Sequence, residues 1–290
     1  MLSKTFDLLL SERTKKRFER ITLTVALLGF FIHLLLIYLL KTGVIDLGGQ
    51  SELFKNPISA IYTPFSFILV YEVYLLIYYL PKSFTNYISK QYEIITLIII
   101  RKLFKDLAGV ELSTNWFKNA SDVQFTYDIL ASLLLFYLIY LFQKHATRKM
   151  GLHDATDPEI DRFIVRKKLI AVALVPVIGV LACTTFVQWA AGLFVSGGDV
   201  LGIKTINHLF FDEFFTILIL VDVVLLLLSF FYTDQFHKII RNTGFVVSTI
   251  LIRLSLGATG LVSTVLVVMA VLFGLLIVLI HNQYEKKTVL

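Results

Sequence analysis

Residues 208–232 read HLFFDEFFTILILVDVVLLLLSFFY, a largely apolar stretch of 25 residues with an acid, Asp222, near its centre. A helix of about 20 apolar residues crosses the hydrocarbon of a bilayer. A run this long predicts a membrane span carrying a charge inside it. The same pattern recurs along the chain, at Ile21–Leu40, Ile58–Leu80, Gln91–Leu107, Phe125–Phe142, Leu169–Phe194, Thr243–Leu256 and Gly260–Ile280. Eight spans of about 20 residues would occupy about 160 residues, and the chain has 290, of which 57% are hydrophobic. Only 17% are charged, against roughly 25% in a soluble domain, and the mean hydropathy is +0.79. These totals exclude a soluble enzyme, a secreted disulfide scaffold and a disordered regulator. The single cysteine, Cys183, excludes an intrachain disulfide and a cysteine-based metal site. The first run lacks a small-residue cleavage pattern and reads as an anchor.

The basic residues test the number of spans. Of 27 Lys and Arg, four fall inside spans: Arg101, Lys102, Lys105 and Arg253. With eight crossings, only Lys41, Lys55, Lys118 and Lys204 lie on the side opposite the N-terminus, and all the others share its side. That asymmetry is what the positive-inside rule asks of a chain with both termini in the cytoplasm. The net charge of +6 is then accounted for by topology and by anionic lipid headgroups, with no nucleic-acid partner expected.

The two halves share landmarks in one order. Arg17-Phe18 returns as Arg162-Phe163, and Gly48-Gly49 with Lys55 returns as Gly197-Gly198 with Lys204. Glu72 in the second span is matched by Asp222 in the sixth, and Phe84 stands before Arg101 as Phe236 stands before Arg253. A four-span unit returns the chain to its starting side, so two such units are parallel repeats. The expected architecture is an all-α integral membrane protein with eight transmembrane helices in two parallel four-helix repeats, residues 21–143 and 169–282. Residues 1–20 form an amphipathic cytoplasmic segment, 144–168 a basic cytoplasmic linker helix, and 283–290 a cytoplasmic tail. Asp157-Pro158 reads as the start of the linker helix, with proline at the first helical position.

Ionisable groups inside a span cost about 2.5–3.5 kcal/mol on insertion scales and are functional candidates by default. Four stand out: Glu72, Arg101, Asp222 and Arg253. At 1.5 Å per residue each lies about 12–15 Å below the cytoplasmic end of its span. Equal depth on consecutive helices predicts a Glu72–Arg101 pair and an Asp222–Arg253 pair. Such pairs either lock neighbouring helices or line a path for an ion or proton. Secondary polar candidates are Asp106, His33, His237 and Arg241. Asp106 snorkels near the outer interface. His33 is read as a packing hydrogen bond, and His237 as a contact with lipid phosphate or solvent rather than a metal. Tyr71, Tyr74 and Tyr78 read as anchoring or packing groups. Ser248, Thr249, Ser263 and Thr264, with Gly257, Gly260 and Gly274, predict close helix contact near a last hairpin. Arg253 is the lone cation of its span, which argues against a voltage sensor. No nucleophile triad, zinc-ligand spacing or phosphate loop is present, so no catalytic group, cofactor or metal is expected.

On these residues each half resembles the phosphate-starvation-inducible E (PsiE) family, best from Phe65 to Asp106 and from Phe214 to Arg253. The family unit has four spans, an acid in the second and a mid-span arginine in the third. Phe236-His237, Arg241 and Arg253 match its turn and third span in the second half, and Arg101 and Asp106 match in the first. Thr85, Ser89 and Ala258 depart from the pattern, so a role needing every position would be divided between the halves. The resemblance implies a bacterial cytoplasmic membrane and no defined chemistry. Two functions follow as expectations: a non-catalytic accessory or stress-response subunit that binds another membrane protein, a second copy or lipid, or a small ion or proton channel or transporter.

Overall fold

A computed structural model describes residues 2–44, 57–107, 120–146, 158–195, 202–232, 235–258 and 260–288. The regular elements are helical throughout, with no strand among the described residues. They are α1 (Leu2–Leu9), α2 (Glu12–Lys41), a 3-10 turn (Pro57–Ile61), α3 (Tyr62–Tyr79), α4 (Phe84–Leu107), α5 (Ala120–Ala146), α6 (Pro158–Val195), α7 (Gly202–Phe230), α8 (Phe236–Gly257) and α9 (Gly260–Thr288). Five segments among the described residues are long and apolar enough to cross a membrane: Lys4–Lys41, Asp122–Ala146, Glu213–Phe230, Phe236–Gly257 and Gly260–Lys286. Thr63–Tyr79 is a shorter apolar helix. α6 begins at Pro158 and runs without a break to Val195, so the linker helix and the fifth apolar run are one element.

The surface chemistry explains why this arrangement belongs in lipid. On α2 the buried residues Thr22, Ala26, His33 and Ile37 share one face, while Leu23, Leu27, Leu28, Phe31, Ile32 and Leu35 point outward. Water tolerates apolar patches of only about 300–600 Å² on a monomer; hydrocarbon reverses the sign of that cost.

Contacts divide the chain into two compact units. The first holds Met1–Tyr78, Phe104–Val110 and Val172–Phe215. Within it α2 and α3 pack antiparallel. Tyr78 donates to Glu12 and Tyr71 to Glu19 near the start of α2, whereas His33, further along, bonds Thr63 at the start of α3. Gly29 permits the close approach: a Cβ there would stand 3.0 Å from both Phe67 and Thr63. α1 is tied to the same hairpin by Tyr74, whose hydroxyl donates to the Leu9 carbonyl at 2.9 Å. Ser11 separates α1 from α2 by capping the latter, its Oγ accepting from the Thr14 N–H. The tyrosines at 71, 74 and 78 lie on one helical face and serve as packing and hydrogen-bonding groups.

The second unit holds Tyr79–Leu103, Glu111–Ala171 and Thr216–Leu290. α8 and α9 form an antiparallel hairpin in which Ser263 donates to the Ser255 carbonyl and Ser248 to the Ala270 carbonyl, each at 2.7 Å. Gly260 takes φ +63° at the start of α9, a left-handed conformation that glycine adopts without strain. α5 lies parallel to α9. Thr264 donates to Asp128 across a sequence separation of 136, and Asn282 donates to the His145 carbonyl across 137. A constant separation at both ends means the two helices climb together.

Candidate functional site

The second unit encloses a polar cluster centred on Asp222, which is 1% exposed. Gln91, on α4, donates through Nε2 to Asp222 Oδ2 at 3.1 Å. Its carbonyl oxygen accepts from Thr249 Oγ1, on α8, at 2.8 Å. A single buried amide thus joins three helices by spending its donor on one and its acceptor on another. Asp222 Oδ1 is buried without a hydrogen-bond partner, and the buried Tyr87 hydroxyl faces the same carboxylate.

Lys167 approaches from α6, two residues before the apolar run that begins at Leu169. It is 3% exposed, donates to the Lys82 carbonyl at 2.6 Å and lies over the rings of Phe84 and Phe163. Burial pushes its ammonium down to about 8, against a smaller upward pull from the Asp222 carboxylate. The carbonyl and the two ring faces supply the cation with partners that water no longer provides.

A second hydrogen-bonded layer sits beside the first. Ser248 Oγ gives its proton to the Ala270 carbonyl, so the Tyr92 hydroxyl, 2.7 Å away, donates to Ser248. Tyr92 is fully buried, with its ring edge-on to Phe142 at 4.9 Å. On α5, Asp128 accepts from both Gln124 and Thr264.

The sequence candidates are distributed as follows. Asp222 is at the heart of the cluster, but its hydrogen bond comes from Gln91 rather than from Arg253, which is half-buried on α8. Glu72 is buried on α3 in the first unit, and Arg101 is half-buried on α4 in the second. His33 makes the helix-to-helix bond to Thr63 at 2.6 Å. His237 and Arg241 come together with His281, which Arg241 reaches at 3.0 Å. The side chains of Asp106 and Lys204, the paired glycines at 48–49 and 197–198, and Lys55 lie outside what the structure describes.

Gln91, Lys167, Asp128 and His281 were not singled out by the sequence. Asp128 carried a usable signal, an acid inside the fourth apolar run. Gln91 sits at the edge of its run, and its importance comes from two helices distant in sequence.

The described residues are therefore all-helical, with five helices long and apolar enough to cross a membrane, and one of these carries a buried carboxylate held in a hydrogen-bonded cluster. No family model matches the chain, and neither a curated protein nor a solved structure does.

Proposed function

We propose that this is a non-catalytic accessory subunit of a bacterial cytoplasmic membrane, an eight-span protein in two PsiE-like repeats, in which the Asp222 cluster locks helices together. The observation that carries this reading is the buried Gln91 amide, bonded at both ends to different helices. A path for ions needs groups free to exchange partners, whereas Gln91 is fixed by both of its bonds.

Helix directions support the span count. α5 runs with α9 and α8 runs against it, so α6 and α7 must both cross or both stay on one side. The apolar run Glu213–Phe230 on α7 is of spanning length, which favours two crossings there. The proposal counts α2, α3 and α4 as crossings too, which makes eight. The distribution of lysine and arginine then puts both termini in the cytoplasm, facing anionic headgroups. The outward apolar faces of α2 and α5 offer area to a membrane partner or to a second copy.

One observation favours a proton path as the second reading: the partnerless Oδ1 of Asp222. Two substitutions separate the readings. Asp222→Asn keeps an acceptor for Gln91, so a lock retains normal assembly and thermal stability, while Asp222→Leu loses both. Wild-type stability in Asp222→Leu would defeat the lock. Proton flux in proteoliposomes under a pH gradient, present in wild type and lost in Asp222→Asn, would establish the alternative.

A further inference from the structure

His237, on the first turn of α8, meets His281 and Glu285, which lie four residues apart on α9. One ligand atom from each falls within 4.8 Å of the other two. The imidazole rings stack with centroids 5.2 Å apart. Residues four apart on a helix project from one face, so His281 and Glu285 form one side of this corner and His237 the other.

We propose that His237, His281 and Glu285 are a divalent transition-metal site at the end of the α8–α9 hairpin, with Zn²⁺ the fitting ion. Two imidazoles and one carboxylate are the donor set of three-ligand zinc centres, which leave a fourth position open. His281 is buried, yet its Nδ1 has no hydrogen-bond partner. Its Nε2 is contested by Arg241, whose Nη1 stands at 3.0 Å, and by Glu285 at 3.3 Å. A buried imidazole with one nitrogen unpaired is costly. Coordination at one nitrogen removes that cost and leaves the other free to donate, the usual arrangement of a ligating histidine. His237 and Glu285 are partly exposed, so an ion can enter from solvent.

Arg241 is the opposing element, since its cation lies against the ligand His281. It also donates twice to Asn242 Oδ1, which holds the guanidinium when the bond to His281 is given up. Arg241 therefore competes with the metal, and its removal strengthens binding.

The test uses the full chain in nanodiscs, with any purification tag removed, titrated with Zn²⁺ against a fluorescent chelator. One Zn²⁺ per chain is expected. His237→Ala, His281→Ala and Glu285→Gln each weaken it at least tenfold, and Arg241→Gln tightens it. Co²⁺ in place of Zn²⁺ should give the visible absorption of a tetrahedral centre, lost in His237→Ala. His237→Ala, being at the partly exposed position, serves if His281→Ala fails to fold. Stoichiometric binding unchanged by His237→Ala and Glu285→Gln, or no Zn²⁺ binding by the folded wild type, would overturn the site.

Discussion

Replacing Gly274 by alanine tests the packing that surrounds the cluster. A Cβ at Gly274 would stand 1.7 Å from the Tyr92 hydroxyl oxygen and 2.9 Å from the ring carbon that bears it. Tyr92 has little room to retreat, because it is fully buried, edge-on to Phe142 and bonded to Ser248. Forcing an extra methyl group into a packed core costs about 1–3 kcal/mol. Displacing the hydroxyl also forfeits an interhelical hydrogen bond, worth about 0.6 and at most about 1.7 kcal/mol in a membrane protein. Alanine's helix preference over glycine works the other way by about 1 kcal/mol. The net loss expected is therefore about 0.6–3.7 kcal/mol. Tyr92→Phe deletes the clashing atom, so Gly274→Ala introduced into Tyr92→Phe should cost at least about 1 kcal/mol less than in wild type. Thermal unfolding of the four proteins in detergent forms a double-mutant cycle. Additive effects, or a Gly274→Ala variant as stable as wild type, would refute the close approach.

Three further outcomes are expected. Gln91→Leu removes the hydrogen bond to the buried Asp222 carboxylate, while Thr249 keeps the Phe245 carbonyl as an acceptor at 3.1 Å; it should cost about 1–3 kcal/mol, more than Thr249→Val, as read by melting temperature. For Lys167, the ammonium at about 8 lies below its ordinary value of 10.5. Between those values the unfolded chain holds a proton that the folded chain has released, so stability should rise with pH there and level off below about pH 8. Melting temperatures followed across that window should show this slope, and Lys167→Met should flatten it. Tyr74→Phe with Tyr78→Phe removes the bonds that hold Leu9 and Glu12 to α3. Amide exchange at residues 2–20 should then accelerate while the rest of the chain keeps its protection.

The helices were legible because their signal is local. A run such as Thr216–Phe230 has no alternative in lipid to closing its own backbone hydrogen bonds. Proline at position 158 opens α6, as its residue type predicts. The close contacts around Ser248, Ser263 and Gly274 were likewise announced by small residues. The choice of partner for Asp222 was not. Depth along a span can be counted from the sequence, but the direction a side chain faces depends on how each helix is rolled against its neighbours. A roll of one residue, about 100°, changes which neighbour a carboxylate meets.

Composition and periodicity alone determined that this chain is helical, apolar and built to cross a bilayer, because hydrocarbon leaves the backbone few other options. Tertiary structure decided that Gln91 bridges Asp222 and Thr249, that Gly274 must be glycine, and that His237 meets His281 and Glu285. The first two join helices far apart in sequence and the third joins the two arms of one hairpin, and in each only the packing of one side chain against another selects among the available neighbours.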